Sequence, residues 1–208
     1  MTATVRAARQ QTERDAILRA AYRLIGRGPG STVSVQDILD GAELSTRAFY
    51  RHFRSKDELI LTMYRTAADR FAVELSDVVA AADGPASALG AWIHHQLAVV
   101  YDGRRVRQTA VLTSAEVRAT AGFDQVNQAS DTVRRTILAE VLRQGRRDGS
   151  LPRSTDPDAD ARAVCGAVGG VVMAKLSGDV LPGWAAASRH LTDLFLRAFG
   201  APRDEEAS

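Results

Sequence analysis

Cysteine is almost missing from this sequence. Cys165 stands alone in 208 residues, so no intrachain disulfide can form and a thiolate zinc site has nothing to build on. Aromatic residues are scarce at 6%, and no stretch alternates Val, Ile or Thr with polar residues, which argues against a sheet. Long hydrophobic runs are absent too. The longest, Val164 to Leu176, is too short to span a bilayer and is broken by three glycines and Lys175. The opening MTATVRAARQQTERD lacks the apolar centre of a secretory signal. A soluble, cytoplasmic protein is expected. Only two of the 27 basic residues are lysine, a skew that reflects genome composition rather than chemistry. No Ser/His/Asp signature, paired metal ligands or cofactor loop is found, so no enzyme activity, cofactor or metal is expected. His94 and His95 are adjacent and point about 100° apart on a helix, too far to share one ion. The GRGPGST loop lacks the lysine of a phosphate-binding loop and follows a helix rather than a strand.

What is present is helix-forming. Ala, Leu, Arg and Val abound, with 45% hydrophobic and 25% charged residues, as in an ordinary globular chain. The net charge of +2 is unevenly spread: residues 1–56 hold ten basic against five acidic side chains, a net of +5, and the remainder carries −3. A small basic N-terminal unit is the electrostatic footprint of a polyanion reader.

Periodicity divides the chain into helices. Residues 1–10 are expected to be a flexible basic arm, in which Arg6 and Arg9 are read as part of a solvated tail rather than a minor-groove arm. A first helix is expected from Thr12, its stripe formed by Ala16, Ile17, Ala20, Ala21, Leu24 and Ile25. Gly26 to Ser31 ends it. Thr32 or Ser34 can cap a short helix through Asp40 that Gly41 stops, and Ser45 caps a second from Thr46 to His52. Ser55 and Glu58 have capping-box spacing at the start of a long helix from Lys56 to about Ala82. Further helices are expected over Ala86 to Tyr101, Arg105 to Arg118, Phe123 to Asp148, Asp158 to Leu176 and Gly183 to Phe199, with Asp156 and Pro157 as cap and first residue of the penultimate one.

Two short helices joined by a turn, the second bearing exposed polar residues, describe a DNA-reading helix-turn-helix. Ser45, Thr46 and Arg47 sit at the second helix's N-terminus, where backbone N–H groups favour phosphate. Arg47 can donate two hydrogen bonds to a guanine edge, or contact phosphate instead; the sequence leaves both open. Tyr50 shares its face, and Arg51, His52 and Lys56 are expected phosphate partners. Thr32 and Ser34 complete the candidate DNA contacts.

The run from Thr32 to Leu59 resembles the DNA-binding domain of the TetR, or tetracycline repressor-like, family. Thr32, Val35, Ile38, Gly41, Ala42 and Ser45 match it, as do Phe49-Tyr50-Arg51-His52-Phe53, Ser55-Lys56 and Leu59. Thr12 to Gly28 resembles its first helix. The resemblance implies an all-α fold of about nine helices: a helix-turn-helix domain over 11–57, a helical effector-binding and dimerisation domain over 58–200, and a flexible tail at 201–208. It also implies that Tyr50 and Lys56 contact DNA phosphates, and that the last two helices of two subunits form a four-helix bundle. Arg47 stands where most members carry Gly, and Thr46 where many carry Lys, so no relative's operator can be borrowed.

The C-terminal region yields two further expectations. Ala163, Gly166 and Gly170 form a small-residue face on the penultimate helix, and Leu191, Leu194, Phe195 and Ala198 an apolar one on the last. Together they are read as a homodimer interface. Met63, Phe71, Trp92, His95, Tyr101, Leu112, Phe123, Val126 and Met173 are candidates to line a pocket for a small, largely apolar effector. The expected function is a ligand-responsive repressor on a palindromic DNA operator. Its rivals are a DNA-binding regulator without an effector and, more remotely, an enzyme.

Overall fold

In a computed structural model, which describes residues 2–25 and 33–201 and side chains from residue 6 onward, the described residues form ten α-helices. Among the described residues there is no strand and no helix long and apolar enough to cross a membrane. The all-α expectation holds. The segment Gly26 to Thr32 and the tail from residue 202 lie outside the described residues, and with them the expected contact Thr32.

The chain divides into two compact units, Met1–Ala68 with Arg107–Gln128, and Asp69–Val106 with Ala129–Ser208. In the first, α1 (Thr2–Ile25), α2 (Val35–Ala42) and α3 (Thr46–His52) meet the start of α4 (Lys56–Ala80), the end of α6 (Gly103–Leu112), α7 (Ala115–Arg118) and the start of α8 (Phe123–Asp148). Its core is the apolar stripe of each: Ile17, Ala20 and Ala21 from α1, Ile38 and Leu39 from α2, Phe49 from α3, Leu59, Ile60 and Met63 from α4. Val111, Val117 and Phe123 close it.

Three boundaries differ from the sequence reading. Helix α1 starts at Thr2, so residues 2–10 are helical rather than a loose arm. The Thr12 hydroxyl, read as a start signal, instead donates to the Ala8 carbonyl 3.0 Å away, one turn back. Arg9 with Glu13 and Gln11 with Asp15, each four residues apart, brace the same turns. Gly41 does not stop α2. The helix runs to Ala42, and Glu43 takes the left-handed conformation at φ 56° and ψ 41°. Gly41 faces α1: a Cβ there would lie 3.6 Å from both Ala20 Cβ and Leu24 Cδ1, an ordinary contact, and its carbonyl accepts from Arg23 Nη2 at 2.9 Å. Finally, the single helix expected over 105–118 is two, because Ser114 accepts from Val117 N at 3.3 Å and caps a new helix.

In the second unit, α5 (Pro85–Tyr101) packs against α9 (Pro157–Leu176) and α10 (Trp184–Phe199). Leu89, Trp92, Ile93 and Leu97 of α5 meet Val164 and Val168 of α9 and Leu191 and Phe199 of α10, with Leu138 and Leu142 of α8 completing the core. The Trp92 indole N–H donates to the Arg134 carbonyl at 3.2 Å, which satisfies the polar edge of an otherwise buried ring. Asp156 caps α9 through Ala159 N at 3.0 Å, with Pro157 next, as the sequence indicates. Helices α4, α6 and α8 each begin in one unit and end in the other.

Candidate nucleic-acid interface

The helix-turn-helix is fixed at both short helices by side-chain caps. Ser34 Oγ accepts from Asp37 N at 3.1 Å, while Asp37 Oδ2 accepts from Ser34 N at 2.8 Å and from the Ser34 hydroxyl at 2.6 Å. The reciprocal bonds hold the Asp37 carboxyl below the usual carboxylate range. Ser45 opens α3 by accepting from Ala48 N at 3.3 Å. Between them, Leu44 N donates to the Leu39 carbonyl at 3.1 Å and closes the turn.

Helix α3 is anchored from behind. Ala48 and Phe49 on the helix, and Phe53 just after it, are buried, and the Phe49 and Phe53 rings lie 5.8 Å apart. The front face is therefore fixed in direction. Thr46, Arg47, Tyr50 and Arg51 stand on it, all exposed, and Arg47 to Arg51 spans one turn. Tyr50 is 60% exposed, in a T-shaped contact with Phe49 at 5.3 Å.

Beside α3 lies a cleft of about 480 Å³, lined by Arg6, Arg9, Gln10 and Glu13 of α1 and by Leu44, Ser45, Arg47, Ala48 and Arg51. Four of these nine side chains are arginines and one is acidic. Three oppositely charged or hydrogen-bonding groups surround the Glu13 carboxylate: Arg51 Nη1 at 2.7 Å, His52 Nε2 at 3.2 Å and Arg9 Nε at 3.3 Å. The hydrogen bond with His52 foremost, and the charges of Arg51 and Arg9, hold the Glu13 carboxyl below its ordinary range against the opposing effect of burial. At the start of α4, Lys56 forms an ion pair with Glu116 of α7.

The structure thus gathers Ser45, Thr46, Arg47, Tyr50 and Arg51 on one exposed face and sets Arg51, His52 and Lys56 against carboxylates. Nothing local in the chain signals those pairings, because the partners of Arg51 and His52 lie 38 and 39 residues away. Sequence reasoning also missed Arg6, Arg9, Gln10 and Glu13 as cleft residues. The local signal is the spacing of four in Arg9–Glu13 and Gln11–Asp15, which suits a helix through these residues.

The expected pocket residues separate. Met63, Leu112, Phe123 and Val126 belong to the first unit, where Met63, Leu112 and Phe123 pack in its core. Phe71, Trp92, His95 and Tyr101 belong to the second. Met173 lines neither core: it is 58% exposed, on the face of α9 that also presents Ala163, Gly166 and Gly170. Its helix turns Val164 and Val168 inward, and Met173 falls on the opposite side. Among the expected interface residues, Leu194 and Ala198 are exposed and Phe195 is half-buried, whereas Leu191 is buried in the core of the second unit.

His95 has an environment of its own. It is buried to 8% exposure, its ring centroid is 4.7 Å from that of Phe71, and its Nε2 has no hydrogen-bond partner among the described residues. Burial, reinforced by the nearby Arg105 charge, lowers its pKa from the ordinary 6.5 and keeps the imidazole neutral. Among the described residues no cluster of His, Cys, Asp and Glu is arranged to hold a metal ion.

Comparison with known proteins agrees with this geometry. Residues 17–63 match the family described as bacterial regulatory proteins, tetR family, a span that covers the end of α1, the helix-turn-helix and the start of α4. The HTH-type transcriptional regulator TcmR of Streptomyces glaucescens is 31% identical over 173 residues, covering 76% of this chain and 70% of the relative. Among solved structures, the transcriptional regulator FadR of Bacillus subtilis in complex with stearoyl-CoA superimposes with a TM-score of 0.72 at 16% identity, covering 88% of this chain and 97% of that one. A transcriptional regulator from Saccharomonospora viridis in complex with choline does so with a TM-score of 0.72 at 21% identity, covering 87% and 94%. These two similarities concern the fold.

Proposed function

The chain belongs to the tetR family of bacterial regulatory proteins, and we propose that this DNA-binding transcriptional regulator is a repressor that grips a palindromic operator as a homodimer and is released by a small, largely apolar effector. The observation that carries the reading is the front of α3: Thr46, Arg47, Tyr50 and Arg51 exposed on a helix whose back is locked by Phe49, beside a cleft rich in arginine. A helix so presented fits the major groove, where Arg47 meets base edges or phosphate. Tyr50, Arg6 and Arg9 meet the backbone. Arg51, His52 and Lys56 do so in competition with their carboxylate partners. Such a protein works where the DNA is, in the cytoplasm.

Dimerisation is supported by Ala163, Gly166, Gly170 and Met173, which give α9 an exposed face of mostly small residues, and by Leu194, 43% exposed on α10. Effector binding is supported by the unpartnered, neutral His95 beside Phe71 in the second unit, and by the two similar folds that hold stearoyl-CoA and choline. An effector with different affinities for two conformations shifts the DNA-binding equilibrium by that difference. The continuity of α4, α6 and α8 from one unit into the other gives the coupling a covalent route.

Selection of bound sequences from a random duplex library tests the reading, together with sedimentation of the free protein. The expected result is an enriched inverted repeat with half-sites one helical turn or a multiple apart, bound by two chains. A monomer that selects no duplex at low salt overturns it.

A further inference from the structure

Glu13 is the one acidic side chain lining the arginine-rich cleft, and it is nearly buried, with 12% of its side chain exposed. Its carboxylate faces Arg51, His52 and Arg9 at 2.7, 3.2 and 3.3 Å. A groove meant only to attract a polyanion gains nothing from a carboxylate at its centre. An oxyanion is what this set of donors is arranged to hold: a guanidinium fork presents the same pair of N–H groups to carboxylate and to phosphate. Resting on the reading of this face as the DNA-binding surface, we infer that Glu13 is an internal stand-in for a DNA phosphate that competes with the DNA backbone for Arg51. In the free protein it holds Arg51 in its bound orientation and cancels its charge. On duplex of arbitrary sequence the carboxylate keeps Arg51 from the backbone phosphates.

The consequence is a weaker grip on the backbone. Duplex of arbitrary sequence offers this protein mainly phosphates, and a phosphate must compete with the Glu13 carboxylate to reach Arg51. Glu13 therefore lowers the affinity for arbitrary duplex by withholding one phosphate contact per protomer. The alternative role, a strut tying α1 to α3, affects folding but not the number of ions released on binding.

The test measures binding of the full-length chain to a random-sequence duplex at several salt concentrations, for the wild type, Glu13→Gln and Asp83→Asn. The last adds the same net charge at an exposed position of the second unit. Glu13→Gln is expected to bind about two- to fivefold tighter, the range set by freeing a partly exposed ion pair. Its salt slope should steepen by about 0.9 per protomer, one additional phosphate contact. Asp83→Asn should match the wild type. In an Arg51→Gln background the gain from Glu13→Gln should vanish, and this cycle also reads the coupling if Glu13→Gln lowers the melting temperature. An unchanged slope in Glu13→Gln, or an equal gain in Asp83→Asn, overturns the stand-in role while leaving the DNA-binding reading intact. Failure of the wild type to bind duplex even in dilute buffer overturns both.

Discussion

Replacing Lys56 by Met should separate what that residue does for DNA from what it does for the protein. Lys56 heads α4, with 28% of its side chain exposed, and pairs with Glu116, whose side chain is 18% exposed. The Glu116 Oε1 atom is buried and has no hydrogen-bond partner apart from that ion pair. Leaving a buried acceptor unpaired costs about 1–3 kcal/mol, and the residual exposure of Glu116 allows some rehydration, which favours the lower part, about 1–2 kcal/mol. In a chain of this size each kcal/mol moves the melting temperature by about 2–4 °C, so Lys56→Met should melt about 2–8 °C lower. If Lys56 neutralises one phosphate per protomer, the salt slope of a dimer should fall by about 1.8. The affinity lost between about 50 and 200 mM salt should then shrink by roughly tenfold. Glu116→Gln in the same chain removes the stranded charge. The double variant should regain most of the lost melting temperature but keep the shallow slope. Thermal denaturation and fluorescence anisotropy against salt read the two effects separately. A double variant that restores the slope would refute the reasoning, because Lys56 would then act only by holding α7.

Three further outcomes follow from the geometry. Ser34→Ala removes the capping box of α2 and should destabilise the first unit by about 0.5–2 kcal/mol, measured by denaturant midpoint with an unchanged m-value. Gly145→Ala places a Cβ 2.7 Å from Leu151 Cδ1 and 2.9 Å from its Cβ, inside a buried contact, and should cost about 1–3 kcal/mol by the same measurement; no loss would mean that α8 and Leu151 separate readily. His95 titrates below its ordinary 6.5 in the folded chain, so the unfolded chain binds more protons between that lowered pKa and 6.5. Stability should accordingly be full above pH 6.5 and decline as the pH falls through that window, and His95→Leu should flatten this part of the melting profile.

Much of the fold is visible in the sequence, because helix caps and apolar stripes are local. Ser34, Ser45, Asp156 and Pro157 announce helix starts within three or four residues of the bonds they make, and Phe49 with Phe53 marks the buried back of α3. The turn after α2 shows the limit of such rules. Gly41 looks like a stop signal, yet the helix runs through it to Ala42, and Glu43 takes the left-handed conformation instead. The misplacement of residues 2–10 has a similar origin: Thr12 is a common cap residue, and its hydroxyl bonds backward inside a helix instead. What stayed hidden is charge pairing across distant segments. Nothing near Arg51 or Lys56 in the chain indicates that Glu13 and Glu116 face them. Leu191 and Met173 exchanged their expected surroundings for a comparable reason, since an apolar residue on an amphipathic helix does not declare which neighbour it will face.

The scarcity of lysine makes this protein unusually easy to watch. Lys56 and Lys175 are its only two ammonium side chains, and they fall in different compact units, the first beside Glu116 and the second 5.3 Å above the Tyr101 ring. Reductive methylation with a carbon-13 label would place one reporter at each, shifted apart in a spectrum by an adjacent carboxylate and an adjacent aromatic ring. Titrating an oligonucleotide and a metabolite in turn would then read the response of each unit in a single tube, without introducing any foreign residue.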